Sequence, residues 1–151
     1  MKKILQYLLI LIACTGFNPD CRADKNVEIL KAAAGHYIEF LKLVGKSEEK
    51  AYLTRIPELF APDCKVVVNG KTVVSSRDDF GSHFNRLKKK MGTWTIDTLD
   101  TIISAEDRAS VVRYVYKTSK KKTFIIIVIL RYDPKEQITE INEVYNSLKS
   151  K

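Results

Sequence analysis

The chain has 151 residues, a length that suits one domain with a substantial core. Its formal net charge of +8 is compatible with anionic membranes, acidic partners or plain solubility. The three cysteines and two histidines form neither a CxxC motif nor a Cys/His cluster. We therefore predict no metal site and no cofactor.

Residues 1–23 are predicted to be an export segment. Lysines at positions 2 and 3 precede an apolar stretch that is shorter than the roughly 20 residues needed to span a bilayer. Two processing sites remain open, since residues 11–14 resemble a bacterial lipobox that would lipidate Cys14, whereas ordinary cleavage would follow Ala23. Both predict an exported protein, either periplasmic or held in the cell envelope as a lipoprotein.

Residues 24–151 are predicted to form one domain that begins with helices. Apolar residues recur at helical spacing over residues 25–44, and Gly45 is expected to be the C-cap. A second helical pattern covers residues 47–60, which Pro57 should kink or divide.

A hairpin and a third helix follow. Asn69-Gly70 separates two runs of β-branched residues and is the dipeptide best suited to a tight turn. Ser76 should cap a helix that Gly92 ends. Four strands are then expected, at residues 94–103, 110–116, 124–132 and 138–145. Helices gathered before a long antiparallel sheet predict an α+β fold with the sheet wrapped over them.

The third of these strands contains an unbroken apolar run at residues 124–130. A short run this rich in β-branched residues predicts a strand covered on both faces. One face can pack on the helices, whereas the other indicates a partner subunit. The run also leaves no acid, base or nucleophile on a central strand.

The element order and three local motifs resemble the nuclear transport factor 2-like superfamily, which includes SnoaL-like and ketosteroid-isomerase-like proteins. The motifs are the LFAPD junction at residues 59–63, the helix start at residues 76–80 and the last strand from residue 138 to 141. The resemblance implies a cone-shaped, curved antiparallel sheet wrapped around three N-terminal helices, with an apolar pocket inside. It also implies dimers that form through the outer face of the sheet.

The isomerase branch of this superfamily uses a tyrosine, a basic aspartate and a protonated acid. The resemblance places the tyrosine at Tyr37, the base at Val68 and the acid at or near Val128. Because valine can neither accept a proton nor hydrogen-bond an oxyanion, that mechanism is excluded. The remaining acid–base candidates are Tyr37, His83 and Glu143, and the phase that would point Glu143 inward is left open. A buried Glu143 within hydrogen-bonding reach of His83 or Tyr37 would favour an enzyme.

The pocket and the dimer face can be assigned to residues on the same basis. The expected pocket residues are Tyr37, Phe60, Val68, Phe80, His83, Phe84, Trp94, Val128, Leu130 and Tyr145. We interpret Phe60, Phe84, Trp94 and Tyr145 chiefly as filling the cone. Ile125, Ile127 and Ile129 are expected to face the second subunit.

Two basic clusters, at residues 86–90 and 117–122, are interpreted as a solvated helix end and a gatekeeping hairpin tip. They lack the aromatic interleaving typical of nucleic-acid binding, so no nucleic acid is expected. A lipid anchor at Cys14 would let them supplement membrane association.

The sequence favours a non-catalytic exported domain that binds a small apolar ligand or an envelope protein partner as a homodimer. The alternative is a SnoaL-like enzyme of isomerase, cyclase or hydrolase type that acts on a small hydrophobic substrate through His83, Glu143 or Tyr37.

Overall fold

A computed structural model describes residues 19–46 and 50–148. The helices are α1 (Pro19–Lys46), α2 (Ile56–Leu59) and α3 (Phe80–Met91), with short 3-10 helices at Lys50–Arg55 and Arg77–Asp79. The strands are β1 (Phe60–Val68), β2 (Lys71–Val74), β3 (Trp94–Ser104), β4 (Ala109–Thr118), β5 (Thr123–Tyr132) and β6 (Ile138–Leu148). Cys14 and the apolar stretch of the predicted export segment lie outside the described residues, as does Ser47, where the second helical pattern begins.

The six strands form one open sheet in the order β2-β1-β6-β5-β4-β3. Each neighbouring pair is antiparallel except β1 and β6, which run parallel. The predicted α+β fold is confirmed, but the sheet is mixed and not wholly antiparallel, because β1 and β6 run parallel. Everything from β2 to β5 lies between β1 and β6 in the chain, so the connection is long enough for a parallel pair.

The C-terminal end of α1 is fixed against the start of β3. The Trp94 indole Nε1–H donates to the Leu41 carbonyl oxygen at 3.0 Å. A Cβ atom on Gly45 would lie 2.6 Å from the Trp94 ring. Gly45 was predicted to end the helix, but α1 continues through Lys46. The glycine is needed because the indole approaches the backbone there, not because the chain turns.

The second predicted helix is shorter than its apolar pattern indicated. A 3-10 helix ends at Arg55, and α2 is a single turn with Pro57 near its start. Phe60 already belongs to β1. The β1–β6 ladder is irregular between Phe60 and Lys65, which accommodates Pro62 because proline has no N–H to donate.

The predicted hairpin is confirmed and ties β1 to β6. Asn69 and Gly70 both have positive φ, at 45° and 78°, as a primed two-residue turn requires. The Asn69 N–H donates to the Glu143 carbonyl oxygen at 2.8 Å, and its side-chain oxygen accepts from the Tyr145 N–H at 3.2 Å. The turn thereby fixes β6 beside it.

An aromatic cluster forms the core beneath the helices. Phe60 stacks on Phe80 with ring centroids 4.3 Å apart, and Phe40 meets Phe60 and Phe84 edge-on at 5.3 and 5.5 Å. Such offset and edge-on pairs are favourable beyond the area they bury. This cluster fills one end of the space between the helices and the sheet.

The central strand β5 alternates as its apolar run requires. Ile126, Val128 and Leu130 are buried, whereas Ile127 and Ile129 are 45% and 37% exposed. One face of β5 therefore packs on the core of this chain, and the other is open.

Candidate functional site: a cavity between the helices and the sheet

A cavity of about 430 Å³ lies between the helices and the inner face of the sheet. Its wall is mostly aliphatic and aromatic, with a few polar side chains. The apolar residues that contribute most of the wall are Leu41, Val66, Val68, Phe80, Phe84, Leu87, Trp94, Phe124, Ile126 and Ile141. A volume of this size can hold a small organic molecule.

Most of the predicted pocket residues lie in this wall. These are Tyr37, Val68, Phe80, His83, Phe84, Trp94 and Tyr145. Phe60, Val128 and Leu130 are not part of this wall and lie in the buried core. The expectation for those three was wrong: Phe60 belongs to the aromatic cluster, and the inner face of β5 lines the cavity only at Phe124 and Ile126.

The aromatic residues do not all fill the cone. Phe60 is core, as interpreted, but Phe84, Trp94 and Tyr145 border open space. The sequence pattern also missed Tyr114 and Tyr116 on β4. Alternation along β4 was the signal that could have found them, because both residues share its inward phase.

Glu143 is the acid in the cavity wall. It shares the wall with Ile141 and Tyr145, so this phase of β6 points inward. Although Glu143 is only half-buried, the surface it exposes belongs to the cavity. Burial raises the pKa of Glu143 from 4.5 to about 7, because a charged carboxylate is poorly solvated there. The group therefore titrates near neutral pH.

Two tyrosines accompany Glu143. Tyr37 on α1 and Tyr114 on β4 both line the cavity, and their phenol groups interact. Burial, and then the negative charge of Glu143, raise the pKa of both phenols well above the usual value. Both hydroxyls therefore stay protonated and can donate hydrogen bonds.

Tyr116 carries a buried hydroxyl with no hydrogen-bond partner among the described residues. Its ring lies 5.3 Å from the Trp94 ring, centroid to centroid. Burial, followed by the charge of Glu143, raises the pKa of Tyr116. An unpaired buried hydroxyl costs stability.

His83 lines the cavity from α3, where its ring contacts Phe84 edge-on at 5.6 Å. Burial, and then the nearby charge of Arg86, lower the pKa of His83, so the imidazole is neutral at neutral pH. No hydrogen bond joins His83 or Tyr37 to Glu143. The structure therefore places the three predicted acid–base candidates in one cavity without linking Glu143 directly to either partner.

The exposed residues of the cavity wall mark its mouth. They are Val73, Tyr145, and two lysines, Lys90 and Lys122. Lys90 lies in the last turn of α3, and Lys122 precedes β5. The mouth is therefore cationic, whereas Glu143 lies further inside.

No protein-family profile matches the sequence, and no curated protein matches it either. Solved structures do match. A candidate SnoaL-like polyketide cyclase from Jannaschia sp. CCS1 superposes with a TM-score of 0.66 at 7% identity, covering 79% of this chain and 86% of that one. An NTF2-like protein of unknown function from Exiguobacterium sp. 255-15 has a TM-score of 0.62 at 16% identity, covering 76% and 98%. The chain has the nuclear transport factor 2-like fold.

A third structure with this nuclear transport factor 2-like fold is the epoxide hydrolase/cyclase-like enzyme SalBIII, which has a role in pyran ring formation in the polyether salinomycin. It superposes with a TM-score of 0.62 at 13% identity, covering 78% of this chain and 90% of that one. The fold that the resemblance implied is thereby confirmed. Identities this low establish the fold and carry no residue roles.

Metal binding, a reactive cysteine and a membrane-spanning helix were also considered for the described residues. No group of three His, Cys, Asp or Glu residues there could hold a metal ion. Cys64 is a free, buried thiol whose pKa burial raises to about 12, so it is a poor nucleophile. None of the described helices is long and apolar enough to cross a membrane.

Proposed function

We propose that this protein binds one small, largely apolar molecule in the cavity and does not transform it. The observation that carries the proposal is the cavity itself, which the chain's own side chains leave open between α1, α3 and the sheet. A concave apolar wall with a few convergent polar groups is the usual form of a small-molecule site. Apolar surface that a ligand buries contributes roughly 25 cal/mol per Å² to binding.

Filling the cavity tests this proposal. Val68 lines it, and Val67 on the same strand does not. Val68→Trp should abolish the fluorescence increase of the neutral apolar reporter N-phenylnaphthylamine, whereas Val67→Trp should leave it unchanged. Equal reporter binding by the two variants would contradict cavity binding.

A second candidate function is acid–base catalysis by Glu143 on a small hydrophobic ketone. The raised pKa of Glu143 favours it, because a base that titrates near the working pH transfers protons well. Tyr37 and Tyr114 could then donate hydrogen bonds to a developing oxyanion. The cyclase and hydrolase names of structural neighbours also lend it support.

Proton exchange tests this second candidate. Deuterium incorporation next to the carbonyl of indanone should be faster with the wild-type protein than in buffer. Deuterium incorporation with Glu143→Gln should be slower than with the wild-type protein by roughly 100-fold or more. Glu140→Gln is the control, since Glu140 pairs with Lys65 away from the cavity. No acceleration by the wild-type protein would leave ligand binding as the function.

We also propose a homodimer through the outer face of the sheet. Ile102, Val111 and Ile129 are cross-strand neighbours there, beside the pair Ile127 and Val144. Four of these five side chains are exposed, and contiguous exposed apolar surface is typical of an interface. Ile127→Lys should shift the protein to monomers in sedimentation velocity, whereas Arg131→Lys on the same strand should not.

Export to the cell envelope completes the proposal, with lipidation of Cys14 or cleavage after Ala23 as the two routes. The basic start and short apolar stretch of the chain support export. Mass spectrometry of protein isolated from membranes distinguishes the routes. If the protein is a lipoprotein, Cys14→Ala should move it from the membrane to the soluble fraction, whereas Cys21→Ala should leave it in the membrane.

A further inference from the structure

We infer that the molecule bound in the cavity is an anionic amphiphile, whose acidic end is held at the mouth by Lys90 and Lys122. This inference rests on the proposed ligand-binding function and adds the chemical class of the ligand. Its basis is the position of the two ammonium groups relative to the apolar wall and to Glu143.

The two lysines reach the mouth because the β4–β5 turn is docked on the end of α3. The Ser119 N–H donates to the Thr93 carbonyl oxygen at 2.8 Å, and the Thr93 N–H donates to Ser119 Oγ at 3.1 Å. A Cβ atom on Gly92 would overlap Ser119 Oγ, and Gly92 has a φ of 75°, so this position favours glycine. Lys122 is thereby held on the same rim as Lys90.

Within the described part of the chain, residues 19–46 and 50–148, neither Lys90 nor Lys122 has an acidic partner. The last carbonyl groups of α3 would be an alternative partner for Lys90. However, the Lys120 ammonium already donates to the Lys89 and Lys90 carbonyl oxygens, at 2.9 and 3.1 Å.

The cavity's own carboxyl group does not neutralise this rim. Glu143 lies opposite Val128, five strand positions from Thr123, which adjoins Lys122. At about 3.3 Å per residue, these five positions separate Glu143 from the start of β5 by roughly 17 Å along the strand. An anion at the mouth would meet two cations, while its apolar body would lie against the wall and reach toward Glu143.

Competition among three amphiphiles of equal chain length tests the inference. Decanoate, decanol and decyltrimethylammonium are titrated against the wild-type protein loaded with N-phenylnaphthylamine. We expect decanoate to displace the reporter at roughly fivefold lower concentration than decanol, since two partly exposed ion pairs add modestly to binding. Decyltrimethylammonium should be the weakest competitor.

A charge-matched pair of variants locates the effect. Lys90→Gln combined with Lys122→Gln should remove the advantage of decanoate and leave decanol unchanged. Lys89→Gln combined with Lys135→Gln removes the same charge from exposed positions outside the cavity wall, and the advantage should remain.

The outcomes separate this inference from the function on which it rests. Equal displacement by decanoate and decanol, or an advantage that survives in the Lys90/Lys122 variant, would overturn the anionic-ligand inference while cavity binding stands. Failure of the wild-type protein to bind the reporter or any of the three amphiphiles would overturn both.

Discussion

Glu143 on β6 and Val128 on β5 are register partners, so the only acid that the described residues contribute to the cavity wall lies directly beside a completely buried valine. Glu143 is also the partner of Val68 on β1. The two positions where the isomerase resemblance implies a base and an acid therefore flank Glu143 on both sides. The carboxyl group sits on the strand between them. The cavity therefore holds a carboxyl group that titrates near neutral pH, although valines occupy both of the positions where the resemblance implies the isomerase acid and base.

Glu143 should make the folded protein less stable as pH rises. Its folded pKa of about 7 lies above the usual 4.5, so the native state holds a proton that the unfolded chain has released between these values. The free energy of unfolding should fall across this window, by at most roughly 3 kcal/mol. Glu143→Gln should match the wild type at the acid end of the window and exceed it above about pH 7 in urea denaturation.

The control for this pH dependence is Glu140→Gln. It removes an equal charge from the same strand, but from an ion pair with Lys65 outside the cavity. The fall in stability across the window should persist in this variant. A wild-type protein whose stability does not change there would contradict the raised pKa of Glu143.

Tyr116 and Tyr132 should respond in opposite directions to loss of the hydroxyl. The Tyr116 hydroxyl is buried without a partner among the described residues, so Tyr116→Phe should raise the free energy of unfolding by about 1 kcal/mol. Tyr132 shares a buried 2.7 Å hydrogen bond with Ser110. Tyr132→Phe should therefore lower the free energy of unfolding by about 1–2 kcal/mol. Destabilisation by both changes would show that Tyr116 has a partner.

Gly45 and Gly35 provide a matched test of helix α1. A Cβ atom at Gly45 would overlap Trp94 at 2.6 Å, whereas one at Gly35 would meet nothing within 4 Å. Gly45→Ala should cost about 1–3 kcal/mol of unfolding free energy through overpacking. Gly35→Ala should instead stabilise the protein by about 0.5–1 kcal/mol, because alanine is the better helix former. Thermal denaturation of the two variants measures the difference, and equal effects would contradict the close approach of Trp94.

The neutral state of His83 depends partly on Arg86. Burial is the larger cause of its lowered pKa, and the Arg86 charge is the second. Arg86→Gln should raise the pKa of His83 without restoring the usual value, as followed by NMR titration of the imidazole. Arg113→Gln is the control, since Arg113 pairs with Asp100 at 2.6 Å instead. An unchanged pKa in Arg86→Gln would place the guanidinium away from His83.

The regular features of the fold were predictable because each depends on local chemistry. Asn69-Gly70 specifies its hairpin through two positive φ angles, and the alternation of residues 124–130 predicts which side chains face outward. The parallel pairing of β1 with β6 was not predictable in this way. It depends on contacts between segments distant in the chain, which no local pattern records.

The cavity was harder to predict than the fold. Apolar alternation identified the inward face of β5, but it did not distinguish Val128 in the core from Ile126 in the cavity wall. For Glu143, the two phases of β6 were equally polar, so its orientation required the register with β5.

An apolar ligand should enter the cavity and not bind to the exposed apolar face of the sheet. Methyl NMR spectra recorded with and without N-phenylnaphthylamine test it most directly. Chemical shifts should change at Val68, Ile126 and Ile141, which line the cavity, and stay constant at the exposed Ile127 and Val144. Changes confined to Ile127 and Val144 would contradict the claim.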